Sequence, residues 1–403
     1  MAKIISDPVF GFIQIPTGLL LDIVKHPLFQ RLNRIKQLGL SSNVYPGAQH
    51  TRFQHSLGAF HLMSEAIISL KRKGNFIFDS EAEAVQAAIL LHDIGHGPFS
   101  HVLEHTLVQG VEHEDISLML MQKINNDFKG QLNLAIEIFK DHYPKRFLHQ
   151  LISSQLDMDR LDYLRRDSFF TGVTEGNIGS ARIIRMLNVK DDHLVVEKKG
   201  IYSIENYLMN RRLMYWQVYL HKTSVAAEKV LINVLVRAEE LSKKGVDLFA
   251  SPALSYFLKN PVDKAWWDAH PEALENYALL DDNDIWCALK VWCHHPDKVL
   301  SLLSQDMVNR RIFKVEVSDE PASEEKITAI RTELAERYKL PYEETSYLVD
   351  ASTVQKDMYR MEDDSIEILF DDGSSKDISQ VSDMLNVELL SKKVRKHYLC
   401  YQR

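Results

Sequence analysis

The hydrophobic pattern begins as short strands and then becomes helical. Apolar stretches on either side of Asp7-Pro8 predict a β-hairpin over residues 3–15. From about residue 17 to 240 apolar positions recur mostly at helical spacing, with one long helix predicted over about 203–243. A second, smaller hairpin is predicted over 193–204. The first part of the chain is therefore expected to be mainly α-helical.

The clearest predicted helix end lies near residue 92. Ser80 and Glu83 have the spacing of a capping box, and the apolar run that follows carries a helix to Asp93. The glycines and proline in 95–98 end this helix, and another helix is expected over 99–108. The His-Asp dipeptide at 92–93 thus stands at a helix end.

The pattern changes again after about residue 310. Strand-like alternation at 312–317 and 366–370 flanks a predicted helix at 324–338. We expect a helical domain over 1–310, with its functional core in 50–170, and a smaller α+β lobe over 311–403. The fold class is therefore mainly α, a helical core with an N-terminal hairpin and a C-terminal α+β lobe.

Composition excludes several classes of protein. The 403 residues include 45% hydrophobic and 26% charged residues, which is ordinary for a globular chain. No apolar run approaches the ~18 residues of a membrane span, and Lys3 and Asp7 make a poor signal peptide. Three cysteines cannot form a disulfide framework, so a reducing cytoplasm is expected.

Charge argues against a dedicated nucleic-acid binder. Lys and Arg number 48 against 56 Asp and Glu, giving a formal net charge of −8. A basic run at 392–397 interrupts this balance near the C-terminus. It is expected to be a solvated helix face, with contact to nucleotide phosphates or nucleic acid as the alternative.

Histidine is concentrated in one quarter of the chain. Of 17 histidines, more than half lie in residues 50–149. Imidazole binds metals and transfers protons near neutral pH, although surface histidines would give the same clustering. His92-Asp93, with His55 upstream and Asp159 downstream, offers two imidazoles and two carboxylates. That donor set suits Fe, Mn, Zn or Ni without choosing among them.

Residues 157–167 are predicted to form a helix with one polar face. At ~100° per residue, one side carries a carboxylate, a cation, a phenol and a second carboxylate, while Met158 and Leu161 lie opposite. A solvated helix face would show the same pattern. The polar residues of this face are Asp159, Arg160, Tyr163 and Asp167.

These features together resemble a known family. The chain is similar over about residues 3–240 to the HD superfamily of metal-dependent phosphohydrolases, in its deoxynucleoside triphosphate triphosphohydrolase branch. The motifs that carry the resemblance are Phe29–Leu32, Ile35–Gly39, Tyr45–Ala48, Arg52–Gly58, His92–His101 and Asp159–Asp167.

The resemblance implies an activity and a metal. Water would attack the α-phosphorus of a dNTP and release a deoxynucleoside and inorganic triphosphate. One divalent transition metal would be held at each site, with Mg²⁺ accompanying the substrate phosphates. The implied metal ligands are His55, His92, Asp93 and Asp159.

The resemblance also implies roles for other side chains. His113 matches the general acid, His96 and His101 match histidines near the α-phosphate, and Glu104 stands where an Asp partners a catalytic histidine. Tyr219 matches a tyrosine packed beneath the sugar 2′ position. The 3′-hydroxyl contacts would be Gln37, Tyr163 and Asp167, and the phosphate-side cations Arg52, Arg160 and Arg211.

Partners are expected from the same resemblance. The family suggests homodimers or homotetramers with nucleotide activators between subunits. Lys25 and Asn33 stand where a vertebrate relative reads guanine, so a strict dGTP requirement is not expected. Two alternatives stay open: an HD-type phosphatase or phosphodiesterase acting on another nucleotide, and a non-catalytic nucleotide sensor or single-stranded nucleic-acid binder.

Overall fold

A computed structural model describes residues 2–99, 101–104, 106–356, 365–383 and 394–403. The side chains at 101, 104, 355, 356 and 394 lie outside that description. The described chain is mainly α-helical with small sheets, so the predicted fold class is confirmed.

The helices form the body of the molecule. Within the described residues the α-helices are α1 (Leu19–Lys25), α2 (Pro27–Gln30), α3 (Arg52–Arg72), α4 (Asp79–Leu91), α5 (His101–Glu104), α6 (His113–Asp127), α7 (Asn133–Phe139), α8 (Arg146–Gln150), α9 (Met158–Thr171), α10 (Ser180–Met186), α11 (Ile201–Met214), α12 (Lys222–Lys243), α13 (Pro252–Lys259), α14 (Lys264–Ala269), α15 (Glu272–Leu279), α16 (Asp282–Trp292), α17 (Lys298–Val308), α18 (Glu324–Tyr338) and α19 (Ile378–Val381).

The strands form a hairpin and two larger sheets. The strands are β1 (Lys3–Asp7), β2 (Gly11–Ile15), β3 (Leu187–Lys190), β4 (His193–Glu197), β5 (Lys314–Ser318), β6 (Val349–Lys356), β7 (Glu367–Leu369), β8 (Ser375–Asp377) and β9 (Val394–Tyr401). The predicted N-terminal hairpin is confirmed, with β1 antiparallel to β2 and Lys3 opposite Ile15. The other sheets have the strand orders β3-β4-β7-β8 and β5-β9-β6.

The core is centred on α3, which packs against both α4 and α9. The inward side of α3 carries large apolar side chains such as Phe60 and Met63, each at most 1% exposed. On α9 Met158 and Leu161 are fully buried, as the helix-face analysis predicts. Burying these faces together brings one end of α4 beside α3 and α9.

The predicted start of α4 is wrong by two residues. Ser80 is not the cap, because the helix already begins at Asp79. The side chain of Glu81 accepts a hydrogen bond from the Phe78 N–H at 2.8 Å and is itself held by Lys145. This buried tertiary contact selects the earlier carboxylate. The helix expected over 99–108 is also shorter, since α5 spans 101–104.

The second hairpin lies earlier than predicted. Its turn is at Asp191-Asp192, where both residues have positive φ, a conformation that Asp tolerates better than most side chains. Gly200 instead precedes α11. A Cβ at Gly200 would lie 2.5 Å from Cγ1 of Val196, so this glycine serves close packing and not a turn.

The long helix predicted over 203–243 is broken. A π-helical turn, Tyr215–Tyr219, follows α11, and α12 begins only at Lys222. The His221 side chain caps α12 by accepting a hydrogen bond from the Thr223 N–H at 3.2 Å. The sequence contains no Gly or Pro at this point that would predict the break.

The C-terminal segment joins the helical body through a sheet. Strand β7 pairs in parallel with β4, and β5 and β9 contact α12. The domain boundary near 310 stays a prediction. Residues 395–397 lie in β9, so the helix predicted there is wrong; residues 392 and 393 lie outside the described chain.

A buried carboxyl group makes stability depend on pH. Asp306 in α17 is fully buried, and burial raises its pKa to about 7, above the ~3.9 of an unfolded chain. Below pH 4 both states hold the proton. Between about pH 4 and pH 7 the unfolded state has lost the proton while the folded state keeps it, so stability falls across this range and is level above it. We expect Asp306→Asn to stabilise the protein by about 2–4 kcal/mol more at pH 8 than at pH 5, measured by urea denaturation.

The exposed Asp22 provides the control for this prediction, because Asp22→Asn should change stability equally at both pH values. An Asp306→Asn effect that is the same at pH 5 and pH 8 would contradict the assignment.

Candidate metal centre

Three side chains from separate helices bring their ligand atoms together. His55 lies in α3, His92 follows α4, and Asp159 lies in the first turn of α9. Oδ1 of Asp159 lies 3.1 Å from Nε2 of His55 and 3.5 Å from Nε2 of His92, and the two Nε2 atoms are 3.3 Å apart. Atoms about 2.1 Å from a common ion lie roughly 3–3.4 Å from one another. The three side chains therefore fit one ion.

The fourth predicted ligand, Asp93, borders this cluster. Its Oδ1 lies 3.4 Å from Nε2 of His92, and its Oδ2 lies 3.6 Å from Nε2 of His55. Nη1 of Arg52 donates to Oδ2 at 2.6 Å, and Nε2 of His96 lies 3.2 Å from Oδ1. The structure thus brings all four predicted ligands together, with Arg52 balancing part of their negative charge.

Neighbouring acceptors orient both imidazoles toward the cluster. Nδ1 of His55 lies 2.7 Å from Oδ2 of Asp162, and Nδ1 of His92 lies 2.7 Å from the carbonyl oxygen of Ile89. Because a carboxylate and a carbonyl can only accept, Nδ1 carries the proton in each ring. The lone pair of a neutral ring then lies on Nε2, as a shared ion requires.

The electrostatics of the cluster favour a cation. Burial acts to lower the pKa of His55, but hydrogen bonds to Asp159 and Asp162 outweigh it and raise that pKa to about 10. Burial also opposes ionisation of Asp159, yet His55 and His92 hold the pKa of its carboxyl well below its usual range. The carboxylates are therefore ionised, and they favour a positive charge at the point where the ligand atoms meet. Nitrogen and carboxylate donors around that point fit a divalent transition metal.

A pair of stacked histidines lies beside Asp93. The rings of His96 and His113 have centroids 3.9 Å apart and planes inclined by 20°. Burial, aided by the charge of Arg52, lowers the pKa of His96 to about 3, so its ring is neutral. His113 begins α6, and its Nε2 lies 3.3 Å from Oε1 of Glu114. One imidazole is therefore neutral, and the other adjoins a carboxylate.

The turn that carries His96 is held from two sides. Nη1 of Arg31 donates to the carbonyl oxygens of Ile94 and His96 at 3.3 and 2.9 Å. The Tyr277 hydroxyl donates to the Gly95 carbonyl at 2.9 Å. A Cβ at Gly95 would lie 2.2 Å from the carbonyl oxygen of His113, so only glycine allows this approach.

A second cluster of polar side chains surrounds Asp167, which lies two turns along α9 from Asp159. Its Oδ1 lies 2.7 Å from Nε2 of His50, and its Oδ2 accepts a hydrogen bond from the Tyr219 hydroxyl at 2.8 Å. The rings of Tyr163 and Tyr219 are 6.0 Å apart and nearly perpendicular. Gln37 joins His50 through its backbone N–H, and its buried Oε1 has no partner among the described residues.

The predicted phosphate-side cations separate into two places. Nε of Arg160 donates to the Ser154 carbonyl at 2.6 Å, and Nη1 of Arg211 donates to Oε1 of Gln155 at 2.9 Å. These two guanidinium groups therefore converge on one segment, whereas Arg52 pairs with Asp93. Nε of Arg160 also lies 3.1 Å from Oδ2 of Asp157, the residue that caps α9.

Two predicted residues cannot be placed, and several others were missed. The side chains of His101 and Glu104 lie outside the described residues. Sequence reasoning did not single out His50, which was only counted among the clustered histidines, nor the pair Asp162 and Arg166. The i,i+4 spacing of that last pair was the signal available.

Two family models match adjoining parts of the chain. The HD domain model matches residues 52–167, and the HD associated region model matches 178–250. The first contains the whole ligand cluster, and the second covers the π-helical turn with Arg211 and Tyr219. No helix among the described residues has the length and apolarity that a membrane crossing needs.

Two similar proteins match this chain over all or nearly all of its length. A crystal structure of a phosphohydrolase from Bacteroides thetaiotaomicron is 68% identical, with a TM-score of 0.98 and 100% of both chains covered. The uncharacterized protein YwfO of Bacillus subtilis is 33% identical over 99% of this chain and 92% of its own.

The names of more distant relatives include a substrate. The deoxynucleoside triphosphate triphosphohydrolase SAMHD1 of Homo sapiens is 26% identical over 70% of this chain and 50% of its own. A SAMHD1 homolog of Dictyostelium discoideum is 30% identical over 60% of this chain and 50% of its own. The chain thus spans about half the length of these curated triphosphohydrolases.

Proposed function

The chain belongs to the family of HD-domain phosphohydrolases, and on this premise we propose that it hydrolyses 2′-deoxynucleoside triphosphates to a deoxynucleoside and inorganic triphosphate. The observation that carries the proposal is the succession of groups along α9. Asp159 lies in the ligand cluster, Tyr163 one turn on, and Asp167 with its partners a further turn on. At 1.5 Å per residue, Asp159 and Asp167 are about 12 Å apart along the helix axis, which leaves room for a nucleoside with its α-phosphate.

The ligand cluster supports phosphoester hydrolysis. His55, His92, Asp93 and Asp159 would hold the divalent ion, which would act as a Lewis acid on the α-phosphate and the attacking water. Arg160 and Arg211 would bind the β- and γ-phosphates through charge-assisted hydrogen bonds. The relatives named as dNTP triphosphohydrolases support the same substrate class.

The stacked histidines would manage the protons. The oxygen of water would form a bond to the α-phosphorus while the bond from phosphorus to O5′ breaks, and the surplus proton of the water would leave with the triphosphate product. The departing O5′ would take a proton from His113, whose Nε2 lies 3.3 Å from Oε1 of Glu114. The neutral ring of His96 would orient the water and the α-phosphate.

The group around Asp167 would select the sugar. Asp167 is a hydrogen-bond acceptor for the 3′-hydroxyl, and His50 and Tyr219 hold both of its oxygens in place. The ring of Tyr219 would lie beneath C2′ and clash with a ribose 2′-hydroxyl, so selection would rest on steric exclusion.

A product assay tests the proposal. Purified protein with Mn²⁺ should convert each dNTP, dATP alone included, to deoxynucleoside and triphosphate, with ribonucleotides slower by at least about tenfold. Release of pyrophosphate or phosphate would instead support the alternative of an HD phosphatase or phosphodiesterase with another substrate. Tight dNTP binding without any product would support a nucleotide sensor. Turnover of dATP only after dGTP addition would contradict the expectation drawn from Lys25 and Asn33.

Two substitutions at Tyr219 separate steric exclusion from hydrogen bonding. Tyr219→Ala should raise the ratio of rNTP to dNTP turnover at least about tenfold, because the ring is removed. Tyr219→Phe is the matched control: it keeps the ring, loses the bond to Asp167, and should keep the discrimination. Equal loss of discrimination in both variants would contradict the steric role.

A further inference from the structure

Behind His55, a line of buried charged groups leads to the N-terminal hairpin. Nδ1 of His55 lies 2.7 Å from Oδ2 of Asp162. Arg166 donates to both oxygens of Asp162 at 3.0 Å and, through Nη1, to Oδ2 of Asp7 at 2.7 Å. Asp7 and Arg166 are 159 positions apart in sequence, so only the tertiary fold brings them together.

This line is shielded from water along its whole length. The side chains of His55, Asp162 and Arg166 are fully buried, and that of Asp7 is 5% exposed. A Cβ at Gly58 in α3 would lie 1.9 Å from Oδ1 of Asp162, so the helix surface is shaped to admit the ion pair. In such surroundings electrostatic interactions are strong, and removal of one partner leaves a buried charge uncompensated.

The hairpin turn is built to present one oxygen of Asp7 to Arg166. Oδ1 of Asp7 accepts hydrogen bonds from the N–H groups of Val9 and Phe10, each at 2.9 Å. That leaves Oδ2 for the guanidinium. The ring of Phe10 also lies 5.6 Å from the guanidinium carbon of Arg166, so the turn contacts Arg166 in two ways.

We propose that Asp7 is a positioning residue of the metal centre, acting through Arg166 and Asp162 on the ring of His55, so that the N-terminal hairpin is a structural part of that centre. Hydrogen-bond partners of metal-bound histidines set ring orientation and ligand basicity, and their loss commonly weakens metal binding 10–100-fold. Asp7 acts two residues further out, so its effect is expected to be smaller. The inference rests on the ligand cluster of the proposed function and is independent of which nucleotide is the substrate.

Metal affinity tests this directly, with Co²⁺ as the probe. Full-length protein and a chelator of known affinity compete for Co²⁺, and visible absorption reports the protein-bound ion. We expect Asp162→Asn to weaken Co²⁺ binding 10–100-fold and Asp7→Asn to weaken it about 3–10-fold. The asparagine at 7 keeps an acceptor for the turn while removing the charge that pairs with Arg166.

Asp297→Asn is the matched control. Asp297 also forms a two-point pair with an arginine, Arg237, at 2.6 and 3.1 Å, and it also caps a backbone N–H, that of Leu300. It lies at the start of α17, where the same kind of loss should lower thermal stability but leave Co²⁺ affinity within twofold of wild type.

The proposal is overturned if Asp7→Asn binds Co²⁺ within twofold of wild type, or if Asp297→Asn weakens Co²⁺ binding as much as Asp7→Asn does. If Asp7→Asn does not fold, Arg166→Lys decides, since lysine keeps the charge but cannot bridge both carboxylates. Wild-type Co²⁺ affinity in Arg166→Lys would overturn the proposal equally. Absence of dNTP hydrolysis in wild-type protein that binds Co²⁺ would count against the proposed substrate alone.

Discussion

Replacing Asp159 with alanine is expected to lower triphosphate release from dNTPs by at least about a thousandfold. The change removes the carboxylate that lies 3.1 and 3.5 Å from the two imidazole Nε2 atoms, and with it one side of the ion's coordination. Loss of Lewis-acid chemistry accounts for several kcal/mol of activation free energy, and each 1.36 kcal/mol is tenfold in rate. Rates are measured by product chromatography and bound metal by elemental analysis of the purified protein.

The exposed Asp22 in α1 is the control, because Asp22→Ala removes a carboxylate of the same kind that is 58% exposed. It should keep both the rate and the metal content of wild type. An Asp159→Ala protein that retains the metal and more than a tenth of the wild-type rate would show that Asp159 is not a ligand.

Replacing Gly58 with alanine is expected to destabilise the protein by about 3–5 kcal/mol, opposite in sign to the usual effect in a helix. Alanine in a helix interior is ordinarily ~1 kcal/mol more favourable than glycine. Here the added Cβ would lie 1.9 Å from Asp162 and 2.1 Å from Arg166, which forces apart a fully buried ion pair. Chemical denaturation measures the effect, and Co²⁺ affinity should fall with it.

Gly179, the residue that precedes α10, is the control site for this comparison. A Cβ there would meet only Cβ of Arg182, at 4.0 Å, so Gly179→Ala should change the free energy of unfolding by no more than about 1 kcal/mol. A Gly58→Ala protein as stable as wild type would mean that α3 and α9 do not approach as closely as the structure has them.

Features that depend on neighbouring residues in the chain were predicted well. The N-terminal hairpin, the helix at 324–338 and the buried side of α9 all follow from local periodicity, and the structure confirms them. His92, Asp93 and Asp159 lie at a helix end or on a helix face that the pattern marks, whereas no predicted element marks His55. The packing of α3 against α4 and α9 brings the four side chains together. Their roles, like those of His96 and His113, stay predictions.

Features that depend on distant contacts were not predicted. The start of α4 is selected by buried contacts of Glu81 with Tyr143 and Lys145, which lie more than 60 positions along the chain. The break between α11 and α12 is a π-helical turn without a glycine or proline. This turn places Tyr219 so that its hydroxyl donates a hydrogen bond to Asp167, a contact that only the tertiary structure shows.

By itself the sequence determined the fold class, the family resemblance and the set of side chains able to hold an ion, since these depend on composition and on spacing along single elements. Only the tertiary structure decided which partner each polar group takes. The side chain of His50 contacts Asp167, that of Arg52 contacts Asp93, and that of Asp7 contacts Arg166. The physical reason is that buried charges must be paired, and the pairs are formed by whichever elements pack together and not by the order of residues along the chain.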